Sequence, residues 1–159
     1  MSDLTPRPEE LPEPAPELVS GRSCQDCTMC CKLVAVYELE KPAQSWCQHC
    51  EIGVGCKIYE SRPADCRTFY CGWLLDPRIA DEWRPAKSKM VVKFEPKRIV
   101  IHVDKDRRDA WRKEPFHSQI RRWAQAGMAY GGDVIVWEGK EALRIHPAGE
   151  QKLGPAKKP

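Results

Sequence analysis

Lys89-Met-Val-Val-Lys-Phe-Glu-Pro-Lys-Arg-Ile-Val-Ile-His-Val103 is the stretch from which the fold can be read. Residues 89–94 are rich in β-branched and aromatic side chains, Glu95-Pro-Lys-Arg98 supplies a turn, and Ile99–Val103 returns with the apolar density of a sheet interior. Downstream, Glu114-Pro-Phe-His-Ser-Gln-Ile-Arg-Arg-Trp-Ala-Gln-Ala-Gly127 predicts a helix. Pro115 suits a first helical position and Gly127 a stop, and Phe116, Ile120, Trp123 and Gly127 fall on one face. Asp133–Trp137 and Ala142–His146 then flank Glu138-Gly-Lys-Glu141 as a second hairpin. The order β-β-α-β-β predicts a small sheet with a helix across one face.

Upstream the character changes. All nine cysteines fall between Cys24 and Cys71, in a loop-rich segment. Within it, Leu33–Leu39 reads as a strand, and a helix is expected from Pro63 that carries Cys66 and ends near Cys71. The expected organisation is a proline-rich tail over 1–20, one domain over 21–146, and a basic tail over 147–159. The domain divides into a cysteine segment (21–81) and a sheet segment (82–146). The fold class is α+β, with a small metal-stabilised cysteine-rich segment packed with the β-β-α-β-β segment. Leu33, Val34, Val36, Ile58, Phe69, Trp73 and Leu74 are a small apolar set for 21–80, so metal is expected to hold that part together and chelation to unfold it before 86–146.

The net charge of +3 conceals an asymmetry: residues 1–23 carry −3, residues 24–81 carry −2 and residues 82–159 carry +8. A basic second half can attract an acidic protein partner. Lys105, Arg107, Arg108, Arg112, Lys113, Arg121 and Arg122 are interrupted by Asp104, Asp106, Asp109 and Glu114, which favours a solvated face over a nucleic-acid site. No apolar run reaches the ~18 residues of a membrane span. The first residues lack the basic and apolar pattern of a secretory signal, so a cytoplasmic location is expected. In that reducing compartment nine cysteines point to metal thiolates rather than disulfides, and an odd count agrees with this.

Cys24-Gln-Asp-Cys27-Thr-Met-Cys30-Cys31 and Cys47-Gln-His-Cys50 have the spacing at which two thiolates turn back onto one metal. Zinc takes four such ligands in a tetrahedron, and iron–sulfur clusters take four around a wider cage. Neighbouring residues point apart, so Cys30 and Cys31 are not expected to share one site. Two sites, or one binuclear site, account for nine cysteines better than one. His49, inside the Cys47–Cys50 pair, is expected to face solvent. Arg62 and Arg67 are placed to offset thiolate charge.

Cys24, Cys27, Cys30 and Cys31, followed by Cys56-Lys-Ile-Tyr59-Glu-Ser-Arg62-Pro63-Ala-Asp-Cys66-Arg67, resemble the YkgJ-type cysteine-cluster family, a zinc- or iron-chelating domain with a Cys-x2-Cys-x2-Cys-Cys signature. Cys50 matches the family cysteine that precedes the Cys-x-Ile-Tyr element. The resemblance covers roughly 24–71. It implies metal chelation through Cys24, Cys27, Cys30, Cys31, Cys50, Cys56 and Cys66. Cys47 and Cys71 are additional to that pattern and are candidate ligands from their clustering alone. No open site with a catalytic Glu or His is visible, so a non-catalytic metal-binding protein is expected, with zinc ahead of iron. An iron–sulfur protein serving electron transfer or a redox enzyme is one alternative. A zinc-framed interaction module is the other.

Overall fold

The computed structural model describes residues 15–24 and 26–155. The expected proline-rich tail lies mostly outside these residues. Among the described residues, five α-helices and seven strands make an α+β fold. In chain order they are α1 (Met29–Leu33), β1 (Cys50–Glu51), β2 (Gly55–Cys56), α2 (Ala64–Arg67), α3 (Gly72–Leu75), α4 (Pro85–Ser88), β3 (Met90–Glu95), β4 (Arg98–Val103), α5 (Phe116–Met128), β5 (Asp133–Glu138), β6 (Glu141–His146) and β7 (Gly149–Pro155).

The sheet has the order β3-β4-β5-β6-β7. Only β4 and β5 are parallel, which is why a crossover helix, α5, joins them while two-residue turns join β3 to β4 and β5 to β6. Lys97 (φ +56°) and Gly139 (φ +64°) take the left-handed conformation that those tight turns need. Register places Met90 opposite Val103, Val92 opposite Ile101, Ile101 beside Val136, Val136 opposite Leu143 and Val134 opposite Ile145. All of these are buried, and they form one core with Ile120 and Ala124 of α5. Trp83 extends that core, meeting Phe116 edge-on at 4.8 Å between ring centres and Trp123 at 5.0 Å.

Several expectations change here. The helix expected from Pro63 to near Cys71 ends at Arg67, and Gly127, expected as a stop, lies one residue inside the end of α5. Residues 149–155, expected within a basic tail, are strand β7, hydrogen-bonded to β6. Its side chains are mostly exposed, and charged residues are common on edge strands, so its polar sequence hid it. Leu33–Leu39 is not a strand: Leu33 closes α1, Tyr37–Leu39 is a 3-10 turn, and a single bridge pairs Val36 with Lys41. A short apolar run does not distinguish a strand from a helix end.

The cysteine half shares the sheet's core. Met29, Leu33, Cys71, Trp73 and Leu74 belong to the same buried cluster as Val92, Ile101 and Val136. Lys32 reaches Asp104 at 2.8 Å and Asp106 at 2.8 Å. Burial opposes the charge on Lys32, but those carboxylates outweigh it and raise its pKa. Buried Gln44 donates to the Val103 carbonyl at 3.0 Å and accepts from the Lys105 N–H at 2.9 Å. Val19 N–H donates to the Leu74 carbonyl at 2.8 Å, which ties the segment before Cys24 to α3. Among the described residues, no helix is long and apolar enough to cross a membrane.

Candidate metal centre

Short, turn-rich backbone brings the cysteines together. Cys27 N–H donates to the Cys24 carbonyl at 3.1 Å, folding the first Cys-x-x-Cys into a turn, and Cys50 N–H does the same to Cys47 at 3.0 Å. His49 N–H points at the Cys47 sulfur at 3.5 Å, the amide-to-sulfur contact expected of a metal knuckle. Cys47 N–H donates to the Cys31 carbonyl at 3.0 Å and thereby fastens the second knuckle to α1. The β1–β2 hairpin sets Cys50 opposite Cys56, and Gly53 N–H at its tip donates to the Thr28 hydroxyl at 3.0 Å. Pro63 precedes α2, which carries Cys66.

These turns enclose a cavity of about 150 Å³ lined by Cys24, Cys27, Cys30, Cys31, Cys47, Cys50, Cys56 and Cys66. All seven cysteines expected from the spacing and the resemblance are brought together, and Cys47 joins them. Cys71 does not line the cavity: it is buried in the hydrophobic core at the start of α3. Cys30 and Cys31, neighbours in α1, both line the cavity. His49 is half-buried in the wall rather than free in solvent. Arg62 lines the cavity, stacked on Tyr59 at 3.8 Å, whereas Arg67 does not line it. Val34, Val36, Leu39, Ile58 and Phe69 supply an apolar remainder.

The thiols differ in which groups act on them. A hydrogen bond with Cys30, followed by burial, raises the Cys31 thiol, while burial and the Cys31 charge push Cys50 up to about 12. Burial also raises Cys66, with further contributions from Cys31, Cys47 and Cys56. Burial raises Cys27, opposed by backbone N–H groups and by Arg84, with Cys24 adding to the rise. Burial likewise raises Cys71, whose charged neighbours are Cys27 and Cys24. Crowded thiols resist ionisation until a cation arrives to offset their charge.

One participant escaped the sequence reading. Lys41 is buried, and its ammonium donates to the carbonyls of Lys32 (3.1 Å), Val34 (2.6 Å) and Pro42 (2.9 Å). It thereby caps the end of α1 and places a cation near Cys47, Cys31, Cys30 and Cys66. Burial lowers its pKa, and those cysteines oppose the fall. A lysine beside Pro42 carries no motif, so only the structure could reveal this role.

Among the described residues, no three His, Cys, Asp or Glu side chains converge on one coordinating point. The sulfurs ring a cavity instead. Their chemistry suits a soft or borderline metal, and coordination requires the cysteine side chains to rotate inward. The hairpin register sets Cys50 opposite Cys56 in the backbone. Comparison of the chain with protein-family models, with curated proteins and with solved structures returns no match.

Proposed function

We propose that the cavity is a thiolate metal centre and that the protein is a non-catalytic zinc- or iron-binding protein. The observation that carries this reading is that eight of nine cysteines line one cavity although they are spread over residues 24–66. Burial of scattered thiols as small apolar groups does not require such convergence. Four sulfurs satisfy one zinc, so the eight can accommodate two metals or one binuclear site. The metal would supply the charge that lets these thiols ionise, and Lys41, Arg62 and Arg84 would offset the excess negative charge. The resemblance to the YkgJ-type cysteine-cluster family supports the same reading.

Zinc is preferred, and an iron–sulfur cluster is the alternative, favoured by the apolar side chains around the sulfurs. Anaerobic purification with metal analysis and an absorption spectrum separates them. A colourless protein holding stoichiometric zinc is the expected result. A broad band near about 400 nm with iron and sulfide in hand would establish the alternative. A protein that holds neither metal and gains none on reconstitution would defeat the proposal.

A further inference from the structure

We propose that Cys50 and Cys56 form a dithiol that peroxide closes to a disulfide, a modification site built into the β1–β2 hairpin. The backbone hydrogen bonding of that hairpin decides its geometry. Cys50 and Cys56 are directly opposed, and Lys57 N–H donates to the His49 carbonyl at 2.8 Å. A bond between the residue before one partner and the residue after the other marks a non-hydrogen-bonded pair. In such a pair the Cα atoms stand about 4.5 Å apart and the side chains approach most closely. Disulfides span Cα separations of about 4.4–6.8 Å, so this pair can close without moving the strands.

The hairpin is also held and reachable. Gly53 N–H fixes its tip to Thr28 at 3.0 Å. Ile52 and Val54 beside that tip are exposed, and both cysteines are only half-buried. One of the two thiols gives its proton to water, and its sulfur attacks a peroxide oxygen and becomes a sulfenic acid as the O–O bond breaks; the hydroxide that leaves takes up that proton as the first water. The second thiol then displaces the sulfenic oxygen, which leaves as water. In net terms two thiols and hydrogen peroxide give one disulfide and two waters. The pairing belongs to the hairpin and stands whether or not metal binds. Its consequence, loss of two donors and release of metal, rests on the metal-centre reading.

The test uses the full metal-free chain, one equivalent of hydrogen peroxide, an alkylating quench and proteolysis without reductant. Cleavage after Glu51 separates the pair onto two peptides. The first disulfide is expected to join Cys50 to Cys56. A first linkage between Cys31 and Cys50, or between Cys47 and Cys50, or no disulfide at all, would overturn the assignment. Cys56→Ser should slow the first closure by at least about tenfold, and an unchanged rate counts against the pair. After closure, zinc affinity should fall by at least about tenfold, and an unchanged affinity removes the release step. Failure of the untreated chain to bind zinc at all would instead count against the metal reading, leaving the mapped linkage intact.

Discussion

Two cysteines show how one residue type serves two physical roles in the same chain. Cys66 lines the cavity among other thiols, whereas Cys71 lies in the core at the N-cap of α3. Cys66→Ser should therefore lower the metal bound per folded chain. Cys71→Ser should leave it unchanged at a stability cost of about 1 kcal/mol or less, because a serine hydroxyl accepts a helix N–H well at that position. Metal analysis alongside urea unfolding of each variant reads both effects, and equal metal loss in the two would contradict the distinction. Cys24, Cys27, Cys30, Cys47 and Cys50 were legible as candidates because Cys-x-x-Cys spacing carries its own turn geometry, whereas Cys56 and Cys66 entered through the resemblance. Cys71 was not separable from them, since burial against Trp73 and Leu74 leaves no mark in spacing.

At the level of elements, the approach of α3 to β3 is tight at Gly72. A Cβ there would stand 3.0 Å from Phe94, 3.0 Å from Val92 and 3.1 Å from Ile79. Gly72→Ala should overpack this contact and cost about 1–3 kcal/mol by chemical denaturation, with metal bound per folded chain unchanged. The sheet also carries a pH response at His102, which register sets between Val91 and Trp137. Burial, with a smaller contribution from Lys93, lowers its pKa from 6.5 to about 4. An unfolded chain then binds the proton more readily, so stability present above about pH 6.5 is lost as pH falls toward about 4. The loss should be up to about 2 kcal/mol, discounted because the residue is only half-buried, and His102→Gln should flatten that limb. The hairpins and α5 were readable because alternation, Pro96-Lys97 and Gly139 all pointed the same way. Strand β7 was not, since Glu150, Gln151 and Lys152 on an open edge look like a solvated tail.

Across the whole molecule, the division near residue 82 does not mark a physical seam. Met29, Leu33, Trp73 and Leu74 are buried with the sheet, and Lys32 and Gln44 are bonded to Asp104 and Val103. Chelation is therefore expected to release residues 45–67, which have little core of their own, while α1, α3 and the sheet keep their protection. Hydrogen exchange with and without chelator checks this, and uniform loss across 21–80 would restore the simpler division. Within the basic half Arg112 is bonded to Glu150 and Glu138, Arg108 lies near Glu141, and Arg98 pairs with Asp133, and these carboxylates are already counted in its net +8. The central claim concerns the thiols, and differential alkylation of the purified protein tests it most directly. Eight cavity cysteines should resist alkylation until a chelator is added and then react, while Cys71 should stay protected until the chain unfolds. Equal reactivity of the eight with and without chelator would contradict a metal centre.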